Sequence, residues 1–172
     1  MAAIGSLQGT HVRLRAIEDS DIGPLGKMLE DPGVAQWWHD YDEQRLRIDL
    51  NDPQTTPFAI ESEGKLAGFI WFYEENEPEY RHAGIDISVG SQWQNKGIGT
   101  DALRTLSRYL FDVLKHHRII IDPAVANSRA VHVYEKVGFR PVGVMRRYER
   151  LGEDSFRDGL MMDLLPEDLS QG

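Results

Sequence analysis

Cysteine is absent from the 172 residues, which excludes a disulfide framework, a thiolate metal site and a cysteine nucleophile. The opening Met-Ala-Ala-Ile-Gly-Ser-Leu-Gln-Gly-Thr lacks the basic region and apolar core of a secretory leader. No apolar run reaches the roughly 18 residues a membrane span needs. A cytoplasmic chain is therefore expected, with no membrane partner. Positive charge is scarce: 28 Asp plus Glu stand against 19 Lys plus Arg, a formal net charge of -9. That balance argues against a nucleic-acid phosphate backbone as partner and suits a cationic one, although acidity also serves solubility alone. The six histidines form no His-x-x-x-His pair beside an acid, and His116-His117 suit the negative end of a helix, so no metal is expected. Repeats, linkers and low-complexity segments are missing too. With 41% hydrophobic and 27% charged residues, the chain reads as one domain over residues 1–172, able to bury one sizeable core; monomer and homodimer are both open.

What is present centres on residues 85–105. Ile85, Ile87 and Val89 alternate with Asp86 and Ser88, the pattern of a strand. Gln94-Asn95-Lys96-Gly97-Ile98-Gly99-Thr100 then leads into Ile98, Ala102, Leu103, Leu106, Leu110, Val113 and Leu114 at helical spacing. A strand, a glycine turn and a helix start gather backbone N–H groups at the positive end of the helix dipole, which makes an anion site suited to a pyrophosphate. The order lacks Gly-x-Gly-x-x-Gly and has no Lys-Ser/Thr pair, so neither the dinucleotide fingerprint nor the nucleotide P-loop fits. An anionic ligand on an acidic protein needs local cations; Lys96 and Arg129 are the candidates.

Elsewhere, Thr10–Ala16 alternates as a first strand and Glu18-Asp19-Ser20-Asp21 signals a helix start. Asp31-Pro32-Gly33 breaks that helix. Trp37 and Trp38 follow. Adjacent residues cannot share one face, so one indole is expected to line a surface or pocket, packing on a sugar ring or a cation, unless both only cover core edges. Residues 42–50 suit a short helix. A strand at Phe58-Ala59-Ile60 joins Leu66–Tyr73 through a Glu63-Gly64-Lys65 hairpin. Glu74–Tyr80 reads as an acidic loop, either merely solvated or lining an acceptor site through Glu75. Ile119–Ile121 is a short buried strand ended by Asp122-Pro123. Asn127 or Ser128 caps a helix that Gly138 stops, and residues 141–165 form two strands around Gly152-Glu153-Asp154.

Gln94-x-x-Gly97-x-Gly99 before a long helix resembles the acetyl-CoA motif of the GCN5-related N-acetyltransferase (GNAT) superfamily. Asn127-x-x-Ala130 with Val133-Tyr134-Glu135-Lys136-Val137-Gly138-Phe139 is a second, more specific resemblance. The resemblance implies an α/β (α+β) fold: a twisted, mixed but mostly antiparallel seven-stranded sheet, about four flanking helices, and a cleft between the fourth and fifth strands. It implies acetyl-CoA as co-substrate, held by Ile87, Ser88, Val89, Gln94, Asn95, Lys96, Gly97, Ile98, Gly99, Thr100 and Asn127.

Val12-Arg13-Leu14-Arg15 followed by Asp19–Asp21 resembles the ribosomal-protein N-terminal acetyltransferases. Gln36-Trp37-Trp38, Gly84-Ile85-Asp86, Ile121-Asp122-Pro123 and Tyr134-Glu135-Lys136 are similar to the aminoglycoside 6'-N-acetyltransferases. That second likeness implies a cationic amine substrate met by Trp37, Trp38, Glu75, Asp86 and Asp122, with Asp86 at the acceptor amine and Tyr134 at the departing thiol. Ser88-Val89-Gly90-Ser91 and the short acidic loop depart from that family. They leave open which amine reacts, an atypical aminoglycoside such as kasugamycin included. A primary amine is protonated near neutral pH, so a carboxylate, directly or through water, must take its proton; amides near Ile87–Val89 can stabilise the oxyanion. Without cysteine, direct transfer is expected. Protein N-terminal acetylation and a catalytically silent acyl-CoA-binding module are the alternatives.

Overall fold

The computed structural model describes residues 4–171 and places eight strands in one sheet, ordered β1-β2-β3-β4-β5-β6-β8-β7. They are β1 (Leu7–Gln8), β2 (Arg13–Arg15), β3 (Thr55–Ser62), β4 (Lys65–Glu75), β5 (His82–Val89), β6 (Ile119–Ile121), β7 (Arg140–Arg150) and β8 (Phe156–Leu164). The helices are α1 (Asp19–Glu30), α2 (Pro32–Ala35), α3 (Glu43–Leu50), α4 (Ile98–Asp112) and α5 (Ser128–Val137).

The mixed α/β sheet is the expected one, with corrections of one strand and one helix to the counts of seven and four. The added strand, β1, has two residues, and its turn is held from afar. The Asp101 carboxylate in the first turn of α4 accepts the N–H groups of Thr10 (3.2 Å), His11 (2.6 Å) and Val12 (3.0 Å). The added helix, α2, arises because Asp31-Pro32-Gly33 starts a turn as well as ending one. Pro32 takes a first-turn position, where its missing N–H costs nothing, and the Asp31 carboxylate accepts from Gly33 N–H at 2.9 Å.

Strand alternation divides the core between the two faces of the sheet. Ile70 and Phe72 of β4 join Ile85, Ile119 and Met162 beneath Ile98, Ala102, Leu103, Leu106 and Leu110 of α4. Phe69 and Trp71 pack instead against Ile22, Leu25 and Leu29 of α1 and Leu46 of α3. Glu63 (φ 52°) and Gly64 (φ 70°) form the β3–β4 turn; two successive left-handed residues match the twist of a tight hairpin. β4 outlasts its expected end, because Glu74 and Glu75 pair with Ala83 and His82 rather than entering the acidic loop.

Among the described residues one strand pairing is parallel, and it shapes a cleft. β5 and β6 are in register only at Ala83↔Ile119 and Gly84↔Ile120. Beyond Gly84 they part, leaving the backbone of residues 85–89 facing a cleft. With β1 counted, this is the opening expected between the fourth and fifth strands.

Candidate active site

The turn leaving β5 is strained in the way an anion cradle requires. Gly90 N–H bonds Ala67 O at 2.9 Å, a short turn of 3-10 helix covers Ser91–Trp93, and Asn95 (φ 58°) and Gly97 (φ 79°) adopt left-handed backbone. Asparagine and glycine are the residues that tolerate this. Gly97 is the N-cap of α4 and no side chain caps that helix, so the first-turn amides point outward at the positive end of the dipole. Gln94 supports the turn by donating Nε2–H to Val89 O at 3.0 Å.

A cavity of about 310 Å³ lies over this turn. It is lined by Ile87, Ser88, Val89, Gln94, Asn95, Gly97, Ile98, Gly99, Thr100 and Asn127, which places together every expected coenzyme residue but one. Lys96 is outside the lining, its Nζ 5.4 Å from the Trp93 ring centroid. Arg129 is in it. Asn127 caps α5 by accepting from Ala130 N–H at 3.2 Å, and Gly138 (φ 118°) ends that helix.

A second cavity, about 600 Å³, opens where β5 and β6 separate. Asp86, Asp122, Trp37, Trp38 and Tyr134 all line it. The two cavities share Trp37, Trp38, Ile87, Asn127 and Tyr134. Tyr134 is 9% exposed, and burial holds its phenol above its ordinary range, with Asp86 and Asp122 adding to the shift. Glu75 is the correction. It lines neither cavity and its carboxylate accepts from Glu77 N–H at 2.9 Å, because β4 carries it past the cleft.

The carboxylates face opposing influences. Burial, reinforced by the charge of Asp122, raises Asp86 to about 6, while Trp71 Nε1–H donated to Oδ2 at 2.9 Å pulls it down. Asp122 is raised by burial and by Glu149, against the hydroxyl of Tyr148, which donates to its Oδ2. The two tryptophans both line the cavities but differ in their partners. Trp38 packs edge-on against Tyr41, Phe69 and Trp71, whereas Trp37 carries the Arg157 guanidinium 5.5 Å from its ring centroid. One indole face is therefore already occupied by the protein's own cation. Arg157 also donates to Gln36 O (2.7 Å) and Trp37 O (3.2 Å) and pairs with Glu149, tying the α2–α3 connection to β8 across the cleft.

Sequence reasoning missed Trp71, Tyr73, Tyr148, Glu149 and Arg157, which reach the second cavity or Asp86 from three strands, β4, β7 and β8, and a register that spacing does not reveal. Two glycines inside strands carried a signal, since a strand glycine marks close approach of other atoms. A Cβ at Gly84 would lie 2.0 Å from Tyr73 Cζ, and one at Gly159 would lie 2.7 Å from Tyr148 Cδ1.

An amide-lined turn and a carboxylate-lined cavity that meet at one buried phenol have the layout of a two-substrate group transferase. The chain belongs to the Acetyltransferase (GNAT) family, whose model matches residues 24–139; acetyl-CoA is the acyl donor of GNAT acetyltransferases. It is 30% identical over 155 residues to the aminoglycoside N(6')-acetyltransferase type 1 of Klebsiella pneumoniae, covering 78% of this chain and 76% of that protein. It is 26% identical over 158 residues to the spermidine N(1)-acetyltransferase of Escherichia coli (strain K12), covering 88% and 84%. The solved structure of Mycobacterium smegmatis RimJ in complex with CoA-disulfide matches with a TM-score of 0.78 at 26% identity, covering 98% of this chain and 89% of that one.

Proposed function

We propose that this acetyltransferase modifies a primary amine of a cationic small molecule, foremost an aminoglycoside, by direct transfer from acetyl-CoA. One observation carries the reading: the raised Asp86 carboxylate faces the larger cavity, and Tyr134 belongs to both cavities. The diphosphate of the donor rests on the amides that open α4, and its pantetheine arm pairs with the exposed edge of β5 in the manner of an added strand. The thioester then lies where the cavities join.

At about 6, Asp86 is ionised at neutral pH yet more basic than an ordinary carboxylate. It orients the ammonium, takes its proton directly or through a water, and leaves a neutral amine to attack the thioester carbon. The C–N bond forms, the tetrahedral oxyanion is met by backbone N–H groups near Ile87–Val89, the nitrogen gives up its second proton to solvent water, and the C–S bond breaks to release the CoA thiolate. Tyr134 stays protonated because burial raises it. It stabilises the departing thiolate by donating a hydrogen bond to sulfur.

Support for a small acceptor comes from Arg157, which roofs one side of the cavity through its bonds to Gln36 and Trp37; an extended peptide needs a groove open at both ends. Spermidine is the second reading, favoured by the greater coverage of the spermidine-acetylating relative. Thiol release from acetyl-CoA, measured with kanamycin, kasugamycin, spermidine and a ribosomal-protein N-terminal peptide, tests the proposal. An aminoglycoside is expected to give the highest kcat/KM. Preference for spermidine selects the second reading, preference for the peptide overturns both, and binding of acetyl-CoA without turnover of any amine marks a silent binding module.

A further inference from the structure

Asp122 is not left to find its own orientation. It follows β6, and the chain beyond it is sewn to β8: Leu160 N–H bonds Pro123 O at 2.8 Å, Val125 N–H bonds Asp158 O at 3.0 Å, and Ala124 bridges Gly159. On the far side of β8, the register with β7 slips between Met145 and Glu149. Arg147 sits there with φ 53°, its N–H bonded to Asp158 Oδ1 at 2.7 Å. A non-glycine residue in left-handed backbone is strained, and such strain persists where surrounding contacts impose it. The slip sets Tyr148, exposed like most of this edge strand, against β8. Its ring lies across Gly159 and its hydroxyl reaches the Asp122 carboxylate. The same glycine seats the ring and anchors the segment that carries its target. Tyr73, lying over Gly84, approaches the splay from the opposite side by the same device.

We propose that Tyr148 is a positioning residue for acceptor binding: laid over Gly159 by the β7 bulge, it holds Asp122 turned into the cavity as an anion for a second cationic group of the acceptor. This rests on the reading of the larger cavity as the acceptor site. The ring itself contributes little burial, being 51% exposed, so the hydroxyl is what the bulge delivers. A donated O–H stabilises a carboxylate over its neutral form. That matters here because the groups facing Asp122 are mixed in sign. Asp86 from β5, Glu149 from β7 and Asp158 from β8 oppose a further negative charge, and Arg157 from β8 and Arg45 from α3 favour it; the phenols of Tyr73 from β4 and Tyr134 from α5 line the same cavity.

The test has two arms. In the first, carboxylate carbon NMR follows the titration of Asp122 in the wild type and in Tyr148→Phe, with no acceptor present. Loss of one charge-assisted hydrogen bond is expected to move the Asp122 midpoint up by about one pH unit, with little change in Tm. Gly159→Ala, which places a methyl against the Tyr148 ring, is expected to reproduce the shift. In the second arm, the acceptor dependence of thiol release is measured with kanamycin, spermidine and benzylamine. Tyr148→Phe is expected to raise KM about tenfold for acceptors with several charges. Neither kcat, KM for acetyl-CoA nor KM for the monoamine should change materially. An unmoved Asp122 midpoint overturns the proposal, as does an equal loss with benzylamine. If no amine is acetylated, the acceptor reading fails, whereas the NMR arm still decides whether Tyr148 holds the carboxylate.

Discussion

Replacing Asp86 by asparagine should make the protein more stable and less active at the same time. Burial raises the carboxyl from its ordinary 3.8 to about 6. The native state therefore holds a proton more tightly than the unfolded chain does, and ionisation weighs against folding. The sign follows from linkage. Stability falls as pH rises from about 4 to about 6 and stays reduced above that. At about 1.4 kcal/mol per pH unit the full penalty approaches 3 kcal/mol, and solvent reaching the cavity brings it to about 1–2 kcal/mol. Asparagine keeps an acceptor for Trp71 Nε1–H and cannot ionise, so it escapes the penalty. For a chain of this size the variant should melt about 3–6 °C higher than the wild type at pH 8, with roughly a third of that margin left at pH 4.5. Without the proton acceptor, kcat should fall by at least about a hundredfold. Thermal unfolding at the two pH values and thiol release at pH 8 are the assays. A stability difference independent of pH, or unchanged turnover, would refute the reasoning about Asp86.

Three other outcomes are expected. Trp71→Phe removes the donor that lowers Asp86, so the acid limb of the kcat profile should move up by about one pH unit; a limb at the wild-type position contradicts this. Tyr134→Phe should reduce kcat by about ten- to a hundredfold with KM for acetyl-CoA unchanged, since only the hydrogen bond to the leaving sulfur is lost, and steady-state kinetics check it. Gly97→Ala meets nothing within 4 Å of the new Cβ, but the backbone must keep φ 79°. The cost is conformational, about 1 kcal/mol, read as a lower Tm and a weaker calorimetric affinity for acetyl-CoA.

The glycine-turn side of the candidate site is legible in the sequence because local sequence controls it. Alternation from Ile85 to Val89, glycines at 97 and 99 and the α4 periodicity all act within a few residues, and the Asn127 cap and Gly138 stop of α5 are equally local. The second cavity is legible only in its carboxylates, Asp86 and Asp122. Tyr148 reaches Asp122 because β7 slips against β8, and Arg157 closes the cleft from a strand about 120 residues beyond its carbonyl partners. Neither register nor separation is written in spacing. Glu75 misled for a related reason: four acidic residues suggest a loop, yet pairing with His82 keeps it in β4. β1 shows the same limit, resting on Asp101 rather than on its own two residues.

A crystal structure of the protein with CoA and an amine acceptor bound together tests the central claim most directly. The diphosphate oxygens should accept hydrogen bonds from the backbone amides around Gly97–Thr100, the sulfur should lie beside Tyr134 Oη, and the acceptor nitrogen should contact the Asp86 carboxylate. A diphosphate bound away from the start of α4, or an amine seated away from Asp86, would contradict it.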